Sequence, residues 1–182
     1  MKKIIIASIS ALLITGTISA QKVVTKDAKV TFDATSSIES IKATNKSGSV
    51  ALNILNGDVA ARVQVKNFIF AQALMQEHFN ENYMESNKYP SATLKGKITN
   101  IGDLQLAKNG TYKANLQGTL EMHGITNNVT VPATLVVNNG TINFKANFNV
   151  LCADYKIDIP SVVADKVAKE VKINIEGVLS NQ

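Results

Sequence analysis

The chain has 182 residues, 45% of them hydrophobic, and a formal net charge of +5. This length fits one domain with a core of ordinary size and leaves no room for a second. The positive charge is spread along the chain without a basic block or aromatic-basic clusters, so nucleic acid is not an expected partner.

The first predicted segment is a cleavable secretory signal over Met1–Ala20. Lys2 and Lys3 form a basic start, Ile4–Ile14 is an uncharged apolar run, and Thr15–Ala20 contains small or polar residues. The apolar run is shorter than the about 20 residues that a transmembrane helix needs. We therefore expect no transmembrane segment, and a mature protein that is periplasmic or secreted.

Most of the remaining chain, 21–182, has the two-residue period of strands with one apolar and one polar face. The alternating segments in chain order are Val30–Phe32, Val50–Ile54, Val59–Val65, Leu94–Ile98, Thr111–Met122, Val129–Val137, Ile142–Val150 and Val171–Leu179. Turn signals such as Asn56-Gly57 and Asn139-Gly140 separate them and favour tight antiparallel hairpins. About eight such strands must hide their apolar faces in a sandwich or in a closed barrel, and the pattern alone does not choose.

Two segments break the strand period and predict helices. The first covers Gln72–Met84 and should lie over the sheet, because its apolar residues recur at helical spacing. Its stripe consists of Ala71, Leu74, Met75, His78 and Phe79. The second prediction is a short helix over Val162–Ala168, which follows Pro160 and has Ser161 as a plausible N-cap.

Few residues have the type or the spacing that catalysis requires. The only histidines are His78, expected to pack beside the helix stripe, and His123, expected in a turn, and their spacing does not predict a zinc site. Cys152 is the only cysteine, so an intramolecular disulfide is ruled out. Asp154 and Asp158 are expected to face solvent. These observations predict a non-enzymatic protein without a cofactor or a metal site.

Three blocks of the sequence resemble the YceI-like family of exported, lipocalin-like barrels. They comprise Phe68–Phe70 with Ala73–Ser86 and Lys88–Leu94, then Gly118–Thr126 with Val129–Pro132, then Phe148–Val150 with Asp154–Pro160. The blocks occur in the family order and span most of the chain. The resemblance implies an all-β fold, an eight-stranded antiparallel barrel with a capping helix, and a long internal pore for polyisoprenoid or fatty-chain lipids.

The resemblance and the inward strand faces together predict the residues that bind this ligand. The expected wall consists of Phe68, Phe70, Leu74, Phe79 and Tyr83 near the helix and of Leu94, Leu116, Gly118, Leu120, Phe144 and Phe148 on strands. Candidates for contacting a polar head group are Tyr89, His123 and Tyr155. Small inward residues such as Gly118 favour a cavity, whereas the alternative is a tapered interior filled by side chains.

The predicted function is that of a carrier or reservoir for an apolar lipid. Burying hydrocarbon yields about 0.8 kcal/mol per CH₂, so a long chain can bind tightly without a specific polar contact. The alternative is a structural or protein-interaction barrel in the cell envelope, with a packed interior and loops such as Glu85–Pro90 contacting a protein. The sequence leaves the oligomeric state open, with a homodimer as one option.

Overall fold

Strands dominate residues 22–181, the part of the chain that this computed structural model describes. The predicted signal over Met1–Ala20 lies outside the described residues. The strands are β1 (Lys22–Thr35), β2 (Lys42–Asn53), β3 (Asp58–Gln64), β4 (Ile69–Phe70), β5 (Ser91–Ile98), β6 (Gly110–Met122), β7 (Ile125–Asn138), β8 (Thr141–Leu151) and β9 (Val167–Asn181).

The eight long strands form one closed antiparallel barrel. Their order is β1-β9-β8-β7-β6-β5-β3-β2, and β1 also pairs with β2, which closes the sheet on itself. The short β4 adds to β2 where β3 has ended. Tight turns produce the neighbouring hairpins: Asn139 and Gly140, for example, both have positive φ (48° and 83°), as a two-residue hairpin turn requires. The predicted eight-stranded barrel is confirmed.

The capping helix is confirmed, but its second half is wider than an α-helix. Helix α1 covers Ala73–His78 and continues as a π-helical turn over Phe79–Tyr83, so the pair lies within the predicted range. The remaining helices are short 3₁₀ turns within residues 22–181. They cover Val65–Asn67, Ile101–Asp103, Cys152–Tyr155 and Ser161–Val163.

The predicted helix over Val162–Ala168 is wrong. Only Ser161–Val163 form a 3₁₀ turn, and β9 begins at Val167, which pairs with Thr35 of β1. Val162 is 86% exposed, and no side chain of 162–168 is fully buried, so little apolar burial is available to stabilise a longer helix. From Val167 onward, pairing with β1 provides hydrogen-bond partners for the backbone, and this long-range pairing outweighs the local helical signal of Pro160 and Ser161.

The barrel interior is packed at one end and hollow at the other. A cluster of buried side chains fills the end at which β1 begins and β2 ends. It includes Val23, Ala28, Leu52, Ile98, Ala114, Leu135, Val137, Ile142, Phe144 and Leu179. Helix α1, the loop 36–41 and the segment 152–166 gather at the opposite end. We call these the packed end and the mouth.

Candidate ligand-binding cavity

A cavity of about 450 Å³ occupies the mouth end of the barrel. Its size falls in the range of small-molecule sites, roughly 300–1,000 Å³. Strands contribute apolar side chains such as Val30, Phe32, Leu94, Leu120, Phe148, Val171 and Ile173. Leu74 of α1 lines the cavity and is 59% exposed, so the apolar wall reaches the protein surface at the mouth.

Most of the residues predicted for the wall lie in it. They are Phe68, Phe70, Leu74, Phe79, Tyr83, Leu94, Leu120 and Phe148. Sequence reasoning missed other wall residues, among them Val30, Phe32 and Ile173, although the same two-residue period places them on inward faces. It also missed Ile157 and Ile159, which reach the cavity from the loop before β9.

Leu116, Gly118 and Phe144 do not line the cavity, which corrects three predicted wall positions. Leu116 pairs with Ile98 of the packed cluster, and Phe144 is itself part of that cluster. Inward-facing residues of one strand therefore differ in function according to their depth. Gly118 offers no space to a ligand, because a β-carbon added there would meet the backbone of β5.

Four phenylalanines fasten the capping helix to the barrel. The ring of Phe79, in the π-helical turn, lies 5.2 Å from that of Phe32, 5.0 Å from Phe70 and 5.8 Å from Phe68. Phe32 also meets the rings of Phe68 and Phe70 at 5.4 and 5.5 Å, both edge to face. Each such aromatic pair contributes about 0.5–1.5 kcal/mol beyond its buried area. This cluster forms part of the cavity wall and also holds the cap in place.

Polar side chains are few in the wall, and the histidine of the helix is among them. His78, predicted to pack beside the stripe, is exposed and lines the cavity. Glu39, Gln72 and Lys166 lie in the wall on the segments around the mouth, and Arg62 does so on β3. A mixture of both charges and an amide suits no single kind of charged head group.

The three predicted head-group residues form a separate structural cluster and do not line the cavity. His123 occupies the turn between β6 and β7 with φ of 50°, as predicted for a turn residue. Its Nδ1 donates to the carbonyl oxygen of Tyr155 at 2.8 Å, and its Nε2 lies 3.0 Å from Oε2 of Glu85. Tyr89 packs edge to face on the imidazole, with ring centroids 4.8 Å apart. The cluster ties the loop after the cap to two other segments.

The thiol of Cys152 belongs to the cavity wall. It is buried, and its Sγ lies 4.0 Å from the carbonyl oxygen of Ala168. Burial raises the pKa of this thiol above its ordinary value of 9.0, because the thiolate would lose its hydration. The group is therefore a neutral, weakly polar part of the wall at neutral pH.

Within residues 22–181, no three His, Cys, Asp or Glu side chains are placed to share a metal ion. The helices of this range all fall short of the length and apolarity that crossing a membrane requires. Asp154 and Asp158 are both exposed and lie outside the cavity wall. Apolar contact is thus the main interaction that the cavity offers to a guest molecule.

A closed antiparallel barrel with an apolar cavity under a helical cap defines a β-barrel of the ligand-binding class. The family model of the YceI-like domain matches residues 13–179, and the chain belongs to this family. Comparison with curated protein sequences gives no significant match.

Three solved structures share the fold at low sequence identity. A polyisoprenoid-binding domain from Saccharophagus degradans, implicated in plant cell wall breakdown, superposes with a TM-score of 0.76 at 11% identity, covering 90% of this chain and 99% of that one. BcnA from Burkholderia cenocepacia gives 0.68 at 20% identity, covering 83% and 95%. A YceI protein from Campylobacter jejuni gives 0.57 at 15% identity, covering 100% and 99%.

Proposed function

We propose that this protein binds a long-chain apolar lipid, a polyisoprenoid or a fatty chain, and serves as its carrier or reservoir. The observation that carries the proposal is the apolar cavity of about 450 Å³ at the mouth of the barrel. A barrel that acted only as a structural module would gain stability by filling this space, since a buried void forfeits packing contacts. The hollow mouth end therefore favours a guest molecule over the alternative of a packed interaction module.

The affinity of such a guest would come from its hydrocarbon. Burying about ten methylenes yields roughly 8 kcal/mol at about 0.8 kcal/mol each, and a binding free energy of this size corresponds to a Kd of about 1 μM. The cost of immobilising the chain reduces this affinity, and further methylenes increase it. The residues proposed to provide these contacts are Phe68, Phe70, Leu74, Phe79, Tyr83, Leu94, Leu120 and Phe148. The few polar groups of the wall would supply little of the affinity.

Location and the absence of catalysis are part of the same proposal. The basic and apolar start of the sequence supports export to the periplasm or the medium. A non-enzymatic role is supported by the wall, in which apolar side chains greatly outnumber groups able to transfer protons. The polyisoprenoid-binding domain from Saccharophagus degradans supports an isoprenoid as one candidate ligand.

Two neighbouring alanines on β3 provide a sharp test. Ala61 lines the cavity, whereas Ala60 faces solvent. In Ala61→Phe the new ring would occupy space that the ligand needs. The affinity for a fluorescent long-chain lipid should therefore fall about tenfold or more, as expected from the loss of a few methylene contacts. Ala60→Phe should bind like the unmodified protein.

Native mass spectrometry of protein purified from cell envelope supplies a second measurement. We expect an apolar molecule to remain bound to the unmodified protein and to be depleted in Ala61→Phe. Equal uptake by both variants would place the ligand elsewhere. A barrel that neither retains nor takes up any apolar chain would contradict the proposed function.

A further inference from the structure

The ladder between β7 and β8 stops before either strand does. Its last rung toward the mouth joins Ala133 to Ala146. Beyond this rung, within residues 22–181, β7 pairs with β6 alone, and β8 pairs with β9 alone as far as Leu151. The wall of the barrel therefore contains an unpaired seam between β7 and β8 on the side of the mouth.

Pro132 explains where this seam begins. In an antiparallel ladder, opposite residues alternate between pairs that bond to each other and pairs whose backbone groups point away from each other. The N–H of Asn115 donates to Oδ1 of Asn100, and its carbonyl oxygen accepts from the N–H of Thr99, so both groups point toward β5. Pro132, the partner of Asn115 on β7, therefore turns toward β8 a nitrogen that has no hydrogen to donate.

An open cleft of about 350 Å³ follows the seam on the outside of the barrel. It is lined by Thr130 and Pro132 of β7, by Asn147, Phe148 and Asn149 of β8, and by Lys172 of β9. Phe148 also lines the internal cavity. This residue borders both spaces, so the seam brings the cavity within one side chain of the outer surface.

The cleft offers hydrogen-bond donors and one cation. Lys172 is exposed and forms no ion pair with a carboxylate of residues 22–181. Its partner on β1 is Asp33, whose Oδ2 lies 3.4 Å from Nζ of Lys42. Glu170, two residues earlier on β9, accepts a hydrogen bond of 3.2 Å from Nδ2 of Asn149. The two neighbouring carboxylates thus have other partners, which leaves the ammonium of Lys172 available.

We propose that this cleft binds the polar end of the ligand, while the apolar chain passes the side chain of Phe148, rotated aside, into the cavity. This inference rests on the proposed function. A carboxylate or a phosphate fits the cleft best, because it can accept hydrogen bonds from both the ammonium of Lys172 and the amide of Asn147. The mouth is less suited to an anion, since Glu39 and Lys166 in its wall have opposite charges.

The test compares ligands that differ only at the polar end. Palmitic acid and hexadecanol, and likewise geranylgeranyl phosphate and geranylgeraniol, would compete with a bound fluorescent naphthylamine probe. The unmodified protein should prefer the ionised acid and the phosphate to the alcohols. In Lys172→Gln this preference should fall about threefold to fivefold, as expected for an exposed ion pair, while binding of the alcohols stays the same. Lys166→Gln removes the lysine of the mouth and should retain the preference.

Thiol labelling locates the polar end without relying on affinity. Thr130→Cys places a thiol in the cleft, and Gln72→Cys places one at the mouth, both at exposed positions. Bound palmitate should slow the reaction of a maleimide with Thr130→Cys more than with Gln72→Cys. The unmodified protein supplies the background rate, because its thiol at Cys152 is buried.

Four results would contradict the proposal. Loss of the preference in Lys166→Gln rather than in Lys172→Gln, or stronger protection of Gln72→Cys, would place the polar end at the mouth and leave the proposed function standing. Equal affinity of the unmodified protein for acids and alcohols would overturn the head-group site as well. Displacement of bound palmitate by inorganic phosphate alone would identify the cleft as a site for free anions. Failure to bind any of the four lipids would overturn the proposed function together with the site.

Discussion

Gly96 and Gly118 face each other across β5 and β6, and their strands approach too closely for a side chain at either position. A β-carbon on Gly118 would clash with the carbonyl oxygen of Lys95 and lie 2.5 Å from the Cα of Gly96. The sequence places Gly118 between two inward leucines, where a missing side chain suggests room for a ligand. The backbone of β5 takes that room instead.

The close approach predicts that Gly118→Ala destabilises the empty protein by about 3 kcal/mol, the upper part of the range for overpacking, since backbone must move. Denaturation by urea would measure the loss. Gly102→Ala is the matched control, because nothing lies within 4 Å of a β-carbon there, and it should change stability little. A Gly118→Ala variant as stable as this control would show that the strands can separate at no cost.

Single residues also show how far sequence reasoning about the site can reach. The two-residue period identifies the inward faces on which Leu94, Leu120 and Phe148 line the cavity. Phe144 and Phe148 share a face and a residue type, yet only Phe148 lines the cavity. The depth of a residue along the barrel axis depends on strand register and on neighbours that are far away in sequence. The two-residue period carries no information about either.

At the scale of the elements, the capping helix has both an anchoring side chain and a largely solvent-exposed one. Phe79 inserts its ring among three other phenylalanines, whereas Leu74 projects into solvent at the mouth. The helix itself is short, with six residues in its α-helical part, so isolated helix propensity contributes little. Its position depends on the aromatic contacts.

We predict that Phe79→Ala lowers the free energy of unfolding by about 3 kcal/mol and speeds ligand release, since the cap loses its anchor. Leu74→Ala on the same helix should lower it by less than about 1 kcal/mol, because most of that side chain is already in water. Urea denaturation and stopped-flow release of a fluorescent lipid are the measurements. Equal losses in the two variants would mean that the ring cluster does not anchor the cap.

The helical elements were predictable only where a buried stripe supports them. Residues spaced at helical intervals located the cap correctly, although the π-helical turn over Phe79–Tyr83 has no signal in that spacing. Ser161 and Pro160 resemble a helix start, but the pairing of Val167 with Thr35 makes the following residues a strand. That pairing joins residues more than a hundred positions apart, so local patterns do not reveal it.

On the scale of the whole molecule, barrel closure depends on the pairing of β1 with both β2 and β9. Alternation and turn residues predicted about eight antiparallel strands but left the sandwich and the barrel equally open. The resemblance to the YceI-like family decided between them. Closure is a long-range property, because β1 and β9 lie at opposite ends of the described chain.

The whole protein should lose stability in alkali, because burial raises the pKa of Cys152, Tyr83 and Tyr155. Each group is neutral when protonated, so the folded state keeps its proton to higher pH than the unfolded chain does. This stabilisation is complete below the ordinary values of 9.0 for the thiol and 10.0 for the tyrosines and declines as pH rises through the folded values.

Denaturation measured as a function of pH tests this expectation, with Cys152→Ser as the partner variant. The decline that begins near pH 9 should weaken in Cys152→Ser, while stability at neutral pH changes by about 1 kcal/mol, as is usual for a point substitution. The tyrosine part of the decline should persist. An unaltered alkaline profile in Cys152→Ser would show that the thiol stays protonated or becomes exposed before it titrates.

The hollow mouth and the packed end give the two ends of a single strand different tolerance to mutation. At Leu179, truncation would create an isolated void, which costs about 24 cal/mol per Å³ in other proteins. At Ile173 on the same strand, truncation would enlarge a space that already exists and that a guest molecule can refill. Sequence drift at the mouth can thus alter what the barrel holds while the packed end preserves the fold, so related chains can diverge in ligand without losing their architecture.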